Sequence, residues 1–164
     1  MLIDMPRIDA YATHLPLLAA CVANTSGPVI ELGCGLYSTP LLHALCLNRL
    51  LLSLESDSEW IKRFQHLASA MHRVVHVIDW AAAPLDGQWS VALIDQQPAA
   101  ARVRSIERLR GHVDLFIVHD TEHRLYCYEQ VLTTFPYRIE SQRNPPWTSV
   151  VSDTQRLRWL ESLL

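Results

Sequence analysis

Five short apolar runs constrain this chain more than any other feature. They are "PVIEL" (28–32), "RLLLSLE" (49–55), "RVVHVID" (73–79), "SVALID" (90–95) and "VDLFIVHD" (113–120). Each has strand length and little apolar–polar alternation, as expected of a strand buried on both faces. The segments between them repeat at helical spacing. Strands and helices that alternate in this way predict an α/β fold, a doubly wound, mostly parallel sheet with helices on both faces. Helices are expected over 8–23 (interrupted near Pro16), over 40–48 (with Thr39 as N-cap and Pro40 at the first helical position) and over 58–72. In the last of these Trp60, Ile61, Phe64, Leu67, Ala68 and Met71 would share one face. Two more are expected over 99–110 and 123–135. The first turns Val103, Ile106 and Leu109 inward and leaves Arg102, Arg104, Arg108 and Arg110 largely outward as a basic face. The second puts Leu125, Tyr128, Leu132 and Phe135 on one side. "YRIESQ" and "TSVVSD" flank "RNPPW" as a closing pair of strands, and "TQRLRWLESLL" reads as a terminal amphipathic helix. No repeat or linker divides residues 1–164, which read as one domain.

Open parallel sheets bind ligands beyond the carboxyl ends of their strands. All five runs end there in an acid: Glu31, Glu55, Asp79, Asp95 and Asp120. One such acid could simply cap the next helix; five at consecutive strand ends on one edge are much harder to dismiss. The net charge of −3 suggests neither nucleic acid nor an anionic membrane as partner, and no apolar run is long enough to span a bilayer. The first residues have early acids and no apolar core of a signal peptide. The four cysteines lie in apolar segments without a C-x-x-C pair, so they read as reduced core thiols of a cytoplasmic protein.

The first run leads into Gly33-Cys34-Gly35, two of only five glycines in the chain. A strand, a G-x-G turn and a helix let backbone approach a ligand closely. Glu55 follows Gly35 by 20 residues, with Ser56 beside it, where a carboxylate grips the ribose hydroxyls of an adenosine. Charge then chooses between adenosine ligands. Glu31 would repel a pyrophosphate over the loop, which opposes a nicotinamide dinucleotide. S-adenosylmethionine has an ammonium, a sulfonium and no phosphate, and acidic strand ends suit it.

Here the sequence resembles the class I S-adenosylmethionine-dependent methyltransferases. Their first motif, an acid, any residue and G-x-G, is matched by Glu31-Leu32-Gly33-Cys34-Gly35; their ribose acid by Glu55; their acid beside adenine by Asp79; and their acid after the fourth strand by Asp95. The resemblance implies a Rossmann-like sheet of seven strands, ordered 3-2-1-4-5-7-6 with the last antiparallel. It departs from the family at Tyr37, where a third glycine is frequent, and in its small size, with no substrate-recognition insert. Trp80 could stack on adenine or pack in the core, and Tyr37 could cover the methionine part or the sheet edge.

Methyl transfer to a hydroxyl or amine also needs a base, and His119, His123 or Asp120 could serve. "HDTEH" does not suit zinc, because His119 would end a strand instead of sharing a helix face with His123. In the catechol-type O-methyltransferases, which the Asp95–Asp120 pair resembles, the corresponding acids hold magnesium. Thr121 stands where their asparagine would be, with Glu122 as a substitute ligand, so a metal-free site is preferred to magnesium on Asp95 and Asp120. The expected partner is a small-molecule or exposed methyl acceptor, without nucleic acid or membrane, and a homo-oligomer is compatible. The alternatives are a binding module that holds the nucleotide without catalysis and, less favoured, a nicotinamide oxidoreductase.

Overall fold

The computed structural model describes residues 9–164. The seven strands are β1 (Val29–Leu32), β2 (Leu51–Glu55), β3 (His72–His76), β4 (Trp89–Ile94), β5 (Val113–His119), β6 (Tyr137–Ser141) and β7 (Thr148–Ser152). They form one sheet in the order β3-β2-β1-β4-β5-β7-β6. The first five pair in parallel, and β7 runs antiparallel to both β5 and β6. The expected architecture and strand order are therefore present. The chain order reverses at β1, between β2 and β4, and that switch point opens a crevice above the strand ends.

Alternate residues of each strand feed two cores. Val29, Leu51, Val91, Leu93 and Ile117 meet Leu17, Leu18 and Cys21 of α1 (Leu15–Ala23), Leu42 of α2 (Ser38–Leu45), and Leu157 and Leu160 near the C-terminus. Ile30, Leu52, Leu54, Ile94 and Phe116 meet Ile106 and Leu109 of α3 (Ala100–Leu109), Val131 and Leu132 of α4 (Glu129–Leu132), and Trp80.

Several helices are shorter than their spacing suggests. The stretch 58–72 makes only 3-10 turns at Ile61–Arg63 and Gln65–Leu67. Ile61 and Phe64 are buried, whereas Ala68 and Met71 are exposed. A short helix persists through the packing of its apolar face, and this one loses the sheet after Phe64. The 123–135 segment is a 3-10 turn, Arg124–Tyr126, broken at Cys127 (φ 55°) before α4, with Leu125 exposed. The C-terminal segment is a 3-10 stretch, Arg158–Leu163. In the first helix, Ile8 lies outside the described residues; a 3-10 turn at Ala10–Ala12 precedes α1. Thr39 lies inside α2 instead of capping it. Cys127 is exposed, so the reading of four core thiols fails there. No helix among the described residues is long and apolar enough to cross a membrane.

The largest departure is Arg102. It is 1% exposed, not on a solvated face. It precedes Ile106 by four residues and Leu109 by seven, so it shares their buried stripe.

Candidate active site

The glycine loop leaves β1 against the end of β4. Gly33 has φ +93°, and a Cβ there would lie 2.6 Å from the Asp95 carbonyl oxygen and 2.7 Å from Gln96 Cα. Only glycine satisfies both demands. Gly35 is less constrained: a Cβ would meet the Ser38 hydroxyl at 2.6 Å, and its φ is ordinary.

Glu31 lies under this loop and is wholly buried. It accepts hydrogen bonds from the hydroxyls of Ser38 (2.7 Å), Thr39 (3.0 Å) and Ser53 (2.6 Å). Thr39 Oγ1 in turn accepts from the Gly35 amide at 2.9 Å. Glu31 thus anchors the loop from below and presents no surface to a ligand. Burial pushes its pKa up to about 7, against the opposing pull of the three hydroxyls. The chain of contacts continues from Ser53 Oγ to His72 Nε2 (3.0 Å) and from His72 Nδ1 to His43 Nδ1 (3.1 Å). Burial and the neighbouring His43 lower the His72 pKa to about 4. When Glu31 is ionised, the single Ser53 proton points to it, so His72 must donate from Nε2 and His43 from Nδ1.

Glu55 ends β2 beside the loop and is also buried. Its carboxylate accepts from the backbone amides of Cys34 (2.9 Å), Ser56 (2.7 Å) and Asp57 (2.8 Å). About four lone-pair positions serve a carboxylate, so little capacity is left for ribose unless the loop yields. Trp60, expected only as a core residue, donates from Nε1 to the Cys34 carbonyl at 2.7 Å and walls the cavity beside Gly35. Tyr37 is exposed and its hydroxyl donates to Asp9 at 3.0 Å.

Asp79 is not a strand-end residue, because β3 stops at His76. Its side chain caps a 3-10 turn, accepting from the Ala81 amide at 2.9 Å. Trp80 is buried in the core, and its Nε1 donates to the Gln97 carbonyl at 2.7 Å. The Ser56 hydroxyl donates to the same oxygen at 2.8 Å. Gln97 and Pro98 consequently stand between two cavities. One, of about 490 Å³, contains Asp79, Trp80 and Pro98 in its wall. The other, of about 550 Å³, is lined by Gly35, Trp60, Asp95, Gln97, His119 and Asp120, among others.

The second cavity contains most of the charge. Asp95 and Asp120, just past β4 and β5, are bridged by Arg102 of α3. Nη2 forms an ion pair with Asp95 Oδ1 at 3.0 Å, and Nη1 donates to Asp120 Oδ2 at 2.9 Å. Asp120 has φ +61°, a left-handed conformation that a non-glycine residue adopts at a cost and that recurs at functional sites. His119 is buried, with Nδ1 at 3.5 Å from Asp95 and 3.6 Å from Asp120. Its Nε2 is 3.0 Å from Thr13 Oγ1, whose proton goes to the Pro146 carbonyl at 2.7 Å, so Nε2 is the donor. His14 packs on His119 with ring centroids 4.6 Å apart, and neither ring nitrogen finds a partner among the described residues. Burial, reinforced by His119, lowers its pKa to about 4. His123 is exposed and stacks on Tyr126, with ring centroids 5.1 Å apart.

Thr121 donates to Glu140 at 3.0 Å, and Glu122 accepts from the Trp147 amide at 2.8 Å. Neither reaches Asp95 or Asp120 as a further metal ligand. Sequence spacing alone singled out neither Arg102, Trp60, His14 nor Gln97 as part of the site. For Arg102 the helical stripe shared with Ile106 was the available signal. The charge argument against a pyrophosphate also moves: Glu31 is sequestered, and Asp95 and Asp120 are the acids at the cavity.

No protein-family model and no curated protein matches the chain. Solved structures do. A caffeoyl-CoA O-methyltransferase-like protein from Staphylococcus aureus superimposes with a TM-score of 0.69 at 12% identity, over 90% of this chain and 85% of that one. A human methyltransferase 10 domain-containing protein gives 0.60 at 14%, over 91% and 85%. The human METTL16 catalytic domain, in complex with the MAT2A 3′UTR hairpin 6, gives 0.61 at 12%, over 92% and 73%. A second METTL16 complex contains hairpin 1, and a third contains SAH. The hairpin complexes overturn the exclusion of nucleic acid that was drawn from net charge. Phosphate contacts depend on where basic groups lie, and a chain-wide sum does not report that. Strand order, the glycine turn at the switch point and these superpositions agree: the chain has the fold of the class I S-adenosylmethionine-dependent methyltransferases.

Proposed function

We propose that this chain binds S-adenosylmethionine over the Gly33–Gly35 loop and transfers its methyl group to a hydroxyl or amine acceptor. The observation behind this reading is that the glycine loop and the acids after β4 and β5 line one cavity of about 550 Å³. A cationic donor on the loop would share that cavity with Asp95 and Asp120. In the transfer, the bond from sulfur to methyl breaks and its electron pair stays on sulfur. The acceptor oxygen or nitrogen forms the new bond to carbon and gives up its proton. In this reading Asp120 Oδ1, the oxygen not engaged by Arg102, takes it, while the contact with Thr13 orients His119. The protein otherwise supplies alignment, since the sulfonium is already a good leaving group.

Adenosine at Glu55 and Asp79 requires Gln97 to move and its bonds from Ser56 and Trp80 to open. Calorimetric titration of the protein with S-adenosylhomocysteine and separately with NADH tests the first step. Binding of the former, weakened about tenfold in Glu55→Gln, supports the proposal; binding of NADH alone sinks it. Labelled-methyl transfer to pools of phenols, amines and short RNA hairpins then separates enzyme from binding module, and small acceptor from nucleic acid.

A further inference from the structure

The side chains of Asp95, His119 and Asp120 each offer a ligand atom, and these atoms lie within 4.8 Å of one another. By spacing alone they could hold a divalent ion. Arg102 is already there. Its guanidinium has five N–H donors; four make hydrogen bonds, and the remaining one, on Nη2, lies in an ion pair with Asp95. Nε donates to the Gln96 carbonyl at 2.7 Å. Nη2 donates to the Asp95 carbonyl and forms an ion pair with Asp95 Oδ1, both at 3.0 Å. Nη1 donates to Asp120 Oδ2 at 2.9 Å and to the Tyr128 hydroxyl at 3.1 Å. The His119 carbonyl, 3.4 Å from Nη1, adds a longer contact. The Tyr126 ring lies alongside, its centroid 5.2 Å from the guanidinium carbon.

We infer that Arg102 is the resident cation of this site: it takes the place that a divalent metal would occupy between Asp95, His119 and Asp120, and the site works without metal. The argument is one of charge and of occupied carboxylate oxygens. Two carboxylates without a counter-charge in a part-buried setting would repel each other, and a guanidinium removes one unit of that charge. A dication added beside it would meet a like charge at close range. It would also compete for the two carboxylate oxygens the guanidinium engages. A metal therefore enters only if Arg102 leaves, and Arg102 is held by backbone carbonyls as well as by carboxylates. Wholly buried and anchored by carbonyls and carboxylates, Arg102 is a positioning residue. It fixes Asp95 and Asp120 so that Asp95 Oδ2 and Asp120 Oδ1 remain for the acceptor. That last role rests on the methyl-transfer reading; the exclusion of metal does not.

The test uses Mn²⁺ alone, followed by its EPR signal and by thermal unfolding with and without the ion. Wild type should leave Mn²⁺ free at about millimolar concentration, and its unfolding midpoint should not move. Arg102→Met keeps the aliphatic stem and removes the charge. It should gain one Mn²⁺ site, at least about tenfold tighter than any in wild type, and lose it again with Asp120→Asn added. If Arg102→Met is unfolded by itself, Mn²⁺ should restore its circular dichroism, because the ion would supply the missing charge. A merely structural arginine would lose stability on substitution and gain neither site nor rescue, and that result would overturn the proposal. So would a Mn²⁺ site in wild type that Asp120→Asn abolishes. Titration of the same wild-type preparation with S-adenosylhomocysteine reports separately on the methyl-donor reading.

Discussion

The two halves of the crevice treat their carboxylates in opposite ways. On the β1–β2 side, Glu31 and Glu55 are bonded by the chain's own donors, three hydroxyls for one and three backbone amides for the other. They shape the loop. On the β4–β5 side, Asp95 and Asp120 share one buried guanidinium and each keeps an oxygen without such a bond beside an open cavity. Neutral hydrogen bonds hold the first pair and a fixed ionic charge holds the second. The first half should therefore respond to pH and to backbone changes, and the second to loss of charge.

The largest effect expected is on the ionic side. Arg102→Met takes a buried guanidinium away from two part-buried acids and should cost about 3 kcal/mol in chemical denaturation. A loss below about 1 kcal/mol would mean that water already screens the pair, and the contrast between halves would collapse. Next come the glycines. Gly33→Ala combines a forbidden φ with overlap onto the β4 backbone and should cost about 3 kcal/mol. Gly35→Ala meets only a serine hydroxyl and should cost about 1–2 kcal/mol. Equal losses would show that the loop, not the approach to β4, sets the requirement.

The third effect concerns pH. Glu31 has a folded pKa of about 7 against an ordinary 4.5. Between those values the folded state holds a proton that the unfolded state has released. Its stabilisation is thus present at low pH and is lost as pH rises toward 7, with a slope of about 1.4 kcal/mol per unit. His14 and His72, lowered from 6.5 to about 4, act in the opposite sense over much of the same range. The sum in wild type is consequently shallow. Glu31→Gln removes one side of it, so the variant's stability should climb more steeply than wild type from pH 4.5 to 6.5. Parallel curves for the two proteins would place the Glu31 proton elsewhere. The smallest effect is on ligand entry. Ser56→Ala and Trp80→Phe each remove a donor to the Gln97 carbonyl, worth about 1 kcal/mol, and should raise affinity for S-adenosylhomocysteine by up to about fivefold. Unchanged or weaker binding would mean that Gln97 need not move.

The strand order was readable because parallel-strand burial and helix spacing are local patterns, and Val29–Leu32 or Trp89–Ile94 show them without help from the rest of the chain. The turn at Gly33 was readable for the same reason. The length of the helices was not. The apolar stripe through Trp60, Ile61 and Phe64 looks continuous to Met71, yet only the part that reaches the sheet is buried. Trp60 was hidden by that very periodicity, since an indole on an apolar stripe looks like core.

The sequence by itself determined the sheet, its switch point and the presence of acids along one edge. These follow from residue type and spacing within a few turns of chain. Tertiary structure alone decided what each acid became. Glu31 turned into an anchor because Ser38, Thr39 and Ser53 converge on it, and Asp79 became a turn cap because β3 ends early. Asp95 and Asp120 became a charged pair because Arg102 comes in beneath them from the buried face of α3. A buried polar group is defined by its partners, and those partners lie far away in sequence, where no local pattern records them.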